Sequence, residues 1–202
     1  MGVYPHVKRG ADALLSLLAL VCLSPLYLAL ALAVKLTSPG PALFRQKRVG
    51  RGGRLFTIYK FRTMRTDTPR DTATHLLSNP GSYITPLGAF LRRSSLDELP
   101  QFFNVLKGDM SIVGPRPALY NQYDLIAARE KAGVNRVRPG ITGWAQINGR
   151  DELPLPVKVQ YDREYVENLS LRMDVRCFFG SIWAVLRADG VREGGTGGKK
   201  SA

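Results

Sequence analysis

The run Arg92-Arg93-Ser94-Ser95-Leu96-Asp97-Glu98-Leu99-Pro100-Gln101 places two guanidinium groups, two hydroxyls and two adjacent carboxylates within ten residues. Two readings fit it. Ser95 followed three positions later by Glu98 has the form of a capping box, and acids in a first helical turn complement the helix dipole. The same helix start also suits a carboxylate nucleophile. There the dipole would hold Asp97 ionised, and free backbone amides could receive a phosphoryl group. Asp97 and Glu98 could divide attack from proton or metal handling. Arg92, five positions before Asp97, could offset the charge of an approaching phosphate.

Two more clusters carry arginine on stiff turns. In Gly114-Pro115-Arg116-Pro117 the flanking prolines fix the backbone that presents Arg116, which suits bidentate phosphate recognition. Arg138-Pro139-Gly140-Ile141-Thr142-Gly143 repeats that design, and the segment runs on to Arg150. Each turn alone reads as surface; together, beside Lys60 and Arg62 in a Lys-Phe-Arg strand, they point to an oligophosphate site. Two histidines (His6, His75) and two cysteines (Cys22, Cys177) leave little room for a histidine-based metal cluster, a Ser-His-Asp triad or a disulfide framework. The chemistry must run on carboxylates, arginine and lysine.

The elements that position these groups fall into three segments: 1–36, 37–190 and a Gly/Lys tail at 191–202, which reads as flexible. Ala13 to Val34 contains no charged residue, and 22 residues of helix span about 33 Å. That would cross a hydrocarbon layer of about 30 Å. It is also longer than the apolar part of a cleaved signal peptide. Ser24-Pro25 interrupts the run, and proline removes a backbone donor and kinks a helix. Lys8 and Arg9 precede it, while Lys35, Arg45, Lys47 and Arg48 follow. Basic flanks favour the cytoplasmic side, so a helix–break–helix hairpin that enters and returns satisfies both ends.

Between Lys35 and Arg65 stand nine basic residues and no acid. Beside a membrane anchor, such a block attracts anionic headgroups at about 1 kcal/mol per charge and can gather a phosphate-bearing substrate. The anchor argues against nucleic acid, the usual partner of a chain of net charge +13. Gly50, Gly52 and Gly53 predict a turn, and Leu55–Phe61 a strand with Phe56 and Ile58 on one face. Residues 66–82 read as a mobile loop. Leu87–Arg93 and Leu99–Lys107 read as short helices whose apolar side holds Phe90, Leu91, Phe102, Phe103, Val105 and Leu106. Leu169–Leu186 carries an apolar stripe that fits either a core helix or a helix lying in the membrane interface. Asp162, in Tyr161-Asp162, is a further polar candidate without a defined role.

In order, Ser24-Pro25, Ile58-Tyr59-Lys60-Phe61-Arg62-Thr63-Met64, Ser95–Gln101, Gly114–Pro117 and Arg138–Gly143 resemble the small monotopic bacterial phosphoglycosyl transferases, the polyprenyl-phosphate sugar-1-phosphate transferases. The resemblance runs from about Lys8 to Gly190 and is to the short members, which lack a large N-terminal transmembrane bundle. It implies an α+β fold: a re-entrant hairpin broken at Ser24 and Pro25, and a compact, mostly helical cytoplasmic domain with a small β element and interfacial amphipathic helices. It further implies transfer of a sugar 1-phosphate from a UDP-sugar to undecaprenyl phosphate with release of UMP, through a covalent phosphosugar on Asp97, with Glu98 assisting and Mg²⁺ at Asp97. Arg92 and Arg116 fall on motif positions linked to the phosphate site, and Lys60, Arg62 and Arg138 are assigned to substrate contact beside them. The expected location is the bacterial cytoplasmic membrane, inner leaflet, with the catalytic domain in the cytoplasm and a homo-oligomer open. A lipid-binding scaffold without catalysis is the competing reading; enzymes acting on CDP-alcohols need several spans and an Asp-rich helix absent here.

Overall fold

The computed structural model describes residues 3–69, 79–149 and 153–186. The expected flexible tail at 191–202, Arg150, and positions 70–78 of the expected loop lie outside them. The fold is α+β, mostly helical, with two small two-stranded sheets.

Helix α1 (Tyr4–Cys22) and α2 (Ser24–Thr37) meet at Leu23 with a bend of 64°. Ser24 and Pro25 open α2, where proline's missing donor costs nothing. Neither helix alone is long and apolar enough to cross a membrane, whereas the bent pair together meets that test. The amphipathicity of α1 is inverted. Asp12 and Ser16 are buried against the rest of the chain, while Leu14, Leu15, Leu18 and Val21 face outward. A helix that hides its polar stripe and displays its apolar one is suited to lipid rather than water. The charged part of that hidden stripe is paired: the Ser111 hydroxyl donates to Asp12 Oδ2 at 2.6 Å, and Lys8 Nζ sits 2.7 Å from Asp174 Oδ2. Tyr4 and Tyr165 hydroxyls donate to the two oxygens of Asp174 at 2.6 and 2.7 Å.

Strands β1 (Leu43–Val49) and β2 (Leu55–Phe61) form an antiparallel hairpin from Leu43↔Phe61 to Val49↔Leu55. Its turn is the predicted glycine cluster, with Gly52 and Gly53 at φ +64° and +74°, where only glycine is unstrained. Helix α3 (Pro86–Arg93) is capped by the Thr85 hydroxyl, which accepts from Gly88 N at 3.0 Å. Helix α4 (Gln101–Lys107) ends on Gly108. Strand β3 (Ser111–Val113) pairs in parallel with β4 (Gly140–Thr142), and between them in sequence lies α5 (Tyr123–Lys131). Helices α6 (Trp144–Ile147), α7 (Leu155–Glu167) and α8 (Leu171–Leu186) complete the chain.

The glycines of the second and third sequence clusters are explained here by close approach. A Cβ on Gly140 would lie 2.1 Å from Gly114 N, and one on Gly143 would lie 2.1 Å from Gly114 O. These two segments therefore touch backbone to backbone. The core is split into small clusters, one of which joins Leu30 and Val34 of α2 to Phe61 and Leu91 and reaches Leu96 and Leu99. The expected apolar sides of α3 and α4 divide: Leu91 and Val105 are buried, but Phe90 and Phe103 are half exposed. On α8, Leu171, Phe179 and Trp183 face outward, Trp183 at 57% exposure, while Cys177 is fully buried. The stripe is therefore displayed at the surface rather than packed as a core helix.

Candidate active site

The dyad does not begin an α-helix. Leu96–Glu98 form a single 3₁₀ turn between α3 and α4, and α4 starts only after Pro100. Ser95 is left-handed at φ +57° and makes no side-chain cap, so the capping box and the dipole argument both fail. Such a conformation in a non-glycine residue costs of order 1–3 kcal/mol and turns the chain sharply before Asp97. The turn is held from three sides. Leu96 and Leu99 pack on the α2 cluster, and the Tyr27 hydroxyl donates to Leu99 O at 2.6 Å. Buried Asn104 of α4 accepts from Tyr59 N at 3.1 Å and donates to Thr57 O at 2.7 Å, which fixes β2 against the helix that follows the dyad.

That clamp brings Lys60 to the carboxylates. Lys60 Nζ donates to Glu98 Oε1 at 2.5 Å, and Arg116 donates to the same oxygen at 3.1 Å. Asp97 Oδ2 stands 4.0 Å from Lys60 Nζ, beyond hydrogen-bond reach. Arg92, anchored by Nε donating to the Thr63 hydroxyl at 2.9 Å, lines the same cleft of about 1000 Å³. The two carboxyls are driven apart electrostatically. Burial pushes Asp97 above the usual aspartate range, and Lys60, Arg92 and Arg116 only partly offset this. Glu98 is also buried, but Lys60 and Arg116 overcome the desolvation and hold it well below the usual range. Glu98 is thus a fixed anion that ties two cations together, and Asp97 is the carboxyl whose reactivity the surroundings set.

Asp97, Glu98, Lys60, Arg92 and Arg116 therefore converge. Two other expected phosphate contacts are differently engaged. The Arg62 guanidinium donates to Ser38 O at 2.8 Å, Val34 O at 3.4 Å and Pro39 O, so it caps the end of α2. Arg138 Nε donates to Gly108 O at 2.9 Å, beside Arg9, which donates to Val105 O and Leu106 O at the end of α4. Arginines on helix C-terminal carbonyls are a common stabilising use. Residues passed over in the sequence reading include Arg129 and Lys158 on the cleft wall, and Asn104, whose signal was a polar residue amid an apolar helix.

A Mg²⁺ ion typically takes one or two carboxylates plus substrate phosphates and waters. Asp97, standing clear of Lys60 on a cleft wall, fits that demand, whereas Glu98 Oε1 is already held by two cations. Among the described residues no three His, Cys, Asp or Glu side chains gather into a complete metal cage.

The cleft lining is mixed: Phe178, Ile182 and Val185 of α8 contribute apolar surface to the same cleft as the dyad and its cations. A cleft that offers both cations and apolar side chains suits an amphiphilic phosphate.

The model of the bacterial sugar transferase family matches residues 3–188. The chain belongs to the bacterial sugar transferase family. Relatives in the family include a UDP-glucose:undecaprenyl-phosphate glucose-1-phosphate transferase of Xanthomonas campestris pv. campestris, 48% identical over 84% of this chain and 36% of its own length. A UDP-N-acetylgalactosamine-undecaprenyl-phosphate N-acetylgalactosaminephosphotransferase of Aeromonas hydrophila is 42% identical over 94% and 46%. The chain thus spans between a third and a half of these two relatives. The exopolysaccharide production protein ExoY of Sinorhizobium fredii, 38% identical, is matched over 91% of this chain and 87% of its own. The two sugars named differ, although the family match runs through the whole dyad region.

Proposed function

We propose that the protein transfers a sugar 1-phosphate from a UDP-sugar to undecaprenyl phosphate and releases UMP. The observation that carries this reading is the division of the dyad: Glu98 held by Lys60 and Arg116, Asp97 buried at 8% exposure and standing off from lysine on a cationic cleft. The family assignment and the named activities of relatives support it.

An Asp97 carboxylate oxygen attacks the sugar-bearing phosphorus of the donor, the bond from that phosphorus to the bridging oxygen breaks, and UMP leaves. A phosphate oxygen of undecaprenyl phosphate then attacks the same phosphorus and releases Asp97 as carboxylate. Donor and acceptor are both anionic, so a covalent relay lets them occupy the cleft in turn rather than together. Arg92, Arg116 and Lys60 face the phosphoryl oxygens, and Glu98 keeps the last two aimed. Mg²⁺ would be held by Asp97 and the substrate phosphates, where it supplies charge neutralisation.

The α1–α2 pair lies as a re-entrant hairpin in the inner leaflet of the bacterial cytoplasmic membrane, both flanks and the domain on the cytoplasmic side. The outward apolar residues of α1 and α8 rest in the same leaflet, and because α8 also lines the cleft, this brings the cleft to the height of the lipid phosphate. To test this, purified protein in anionic nanodiscs is given Mg²⁺, undecaprenyl phosphate and a panel of UDP-sugars. At least one sugar should release UMP and yield a lipid-linked product, and Asp97→Asn should abolish both. Full membrane function in Asp97→Ala cells would favour a scaffold instead.

A further inference from the structure

Asp162 and Arg129 form the most deeply buried ion pair among the described residues, with side-chain exposures of 1% and 5%. Arg129 of α5 donates through Nε and Nη2 to Asp162 Oδ2 of α7, at 2.9 and 2.5 Å. Its remaining fork nitrogen, Nη1, donates to the carbonyl of Arg116 at 2.7 Å. Arg129 also lines the cleft that holds the dyad. A buried pair of this kind adds little net stability over an apolar pair, because both charges must be stripped of water. Its geometry has a more specific consequence. All three nitrogens of one rigid guanidinium are engaged, two on a carboxylate and one on the backbone of the very residue whose side chain reaches Glu98.

The Gly114–Pro117 turn is tied at each of its last three carbonyls. Pro115 O accepts from Gly140 N at 2.9 Å, Arg116 O accepts from Arg129, and Pro117 O accepts from Arg48 Nη1 at 3.2 Å. Pro115 and Pro117 fix φ on either side of Arg116, and Pro117 also confines Arg116 to extended backbone without setting the exact tilt of the peptide that joins them. The Arg129 contact fixes the orientation of the intervening peptide plane, and so the direction in which the Arg116 guanidinium leaves the backbone. We propose that Asp162 and Arg129 are a positioning pair for the transfer reaction: Asp162 orients Arg129, Arg129 fixes the Arg116 carbonyl, and Arg116 thereby meets Glu98 and the phosphoryl oxygens. Asp162 touches no reacting atom. The proposal rests on the function given above.

The test is a mutant cycle on UMP release in nanodiscs, with rates scaled to the folded fraction from near-ultraviolet circular dichroism. Asp162→Asn and Arg129→Lys should each lower kcat about tenfold to a hundredfold, the cost of a misplaced contact, with KM changed less. In an Arg116→Ala background the same Asp162→Asn change should cost less than about twofold, because coupled residues are not additive. Equal losses in both backgrounds would overturn the proposal. Should the single variants fold poorly, the charge-free pair Arg129→Met with Asp162→Leu keeps the volume and removes the buried charge. It should fold and still be slow; a folded double variant of normal kcat overturns the idea. Hydrogen exchange of the peptide 114–119 in that double variant gives a reading that needs no activity. Faster exchange than in the unaltered protein is expected, and unchanged exchange counts against the proposal. A protein silent with every UDP-sugar but showing the exchange effect would defeat the proposed function alone.

Discussion

At the residue scale, Lys60 sets how readily Asp97 loses its proton. Burial raises the Asp97 carboxyl, and Lys60 is the largest of the forces that bring it back. On the proposed route only the ionised form attacks, so activity falls as pH drops through the Asp97 value, and removing Lys60 must move that fall to higher pH. In single-turnover UMP release, Lys60→Ala should therefore shift the acid limb upward; a limb that stays or moves down contradicts this account. Arg62 offers a contrast. Its nitrogens sit on the last carbonyls of α2, so Arg62→Lys should lower the melting temperature while KM for the donor is unchanged. A raised KM with an unchanged melting temperature would make Arg62 a phosphate contact after all. That the dyad and three cations gather in one place was legible in the sequence, because their types suit phosphate chemistry. The carbonyl contacts of Arg62 and Arg138 were not, since a guanidinium suits a carbonyl as well as a phosphate. The left-handed Ser95 could not be read either: serine three before glutamate spells a cap, and only the tertiary clamp from Tyr27 and Asn104 overrides it.

At the element scale, the bent α1–α2 pair and the dyad turn are one unit. Tyr27, two residues past Pro25, donates directly to Leu99 O, and Leu30 and Val34 share a cluster with Leu91 near Leu96 and Leu99. Tyr27→Phe removes a hydrogen bond worth about 1 kcal/mol, so kcat should fall about fivefold with the hairpin still inserted. A normal rate would mean that the hairpin anchors without positioning. Period and punctuation revealed the strand at Leu55–Phe61, the helix at Pro86–Arg93 and the break at Ser24-Pro25. Strands β3 and β4 escaped because three residues carry no period. The glycines around them serve a contact between segments 26 residues apart, Gly114 and Gly140, which no local pattern encodes.

At the scale of the whole molecule, the proposed membrane attachment has two terms: the outward apolar residues of α1 and α8, and the basic segment after α2. Salt screens only the second, with a Debye length of about 3 Å at 1 M. Binding to anionic vesicles should weaken in high salt yet persist, and binding to neutral vesicles should be nearly salt-independent; full release at 1 M salt would assign membrane attachment to charge alone. For the hairpin, Val3→Cys and Leu36→Cys in a Cys22→Ser chain mark the two flanks, both exposed. A membrane-impermeant thiol reagent should reach both from the cytoplasmic face. Labelling from opposite faces would make the bent pair a broken span. Composition and charge point to a membrane association, but the stripe on α8 alone left a core helix and a membrane-interface helix equally open. Periodicity reports that one face is apolar and says nothing of whether protein or lipid covers it.

The covalent relay through Asp97 separates this account most sharply from a direct displacement. Protein mixed with a UDP-sugar substrate and Mg²⁺ but no undecaprenyl phosphate is quenched and digested, and the peptide containing Asp97 is weighed while UMP is counted. The account predicts a burst approaching one UMP per protein and a phosphosugar mass on Asp97, which disappears when undecaprenyl phosphate is added. UMP that forms only once the lipid is present, with Asp97 never modified, would contradict it.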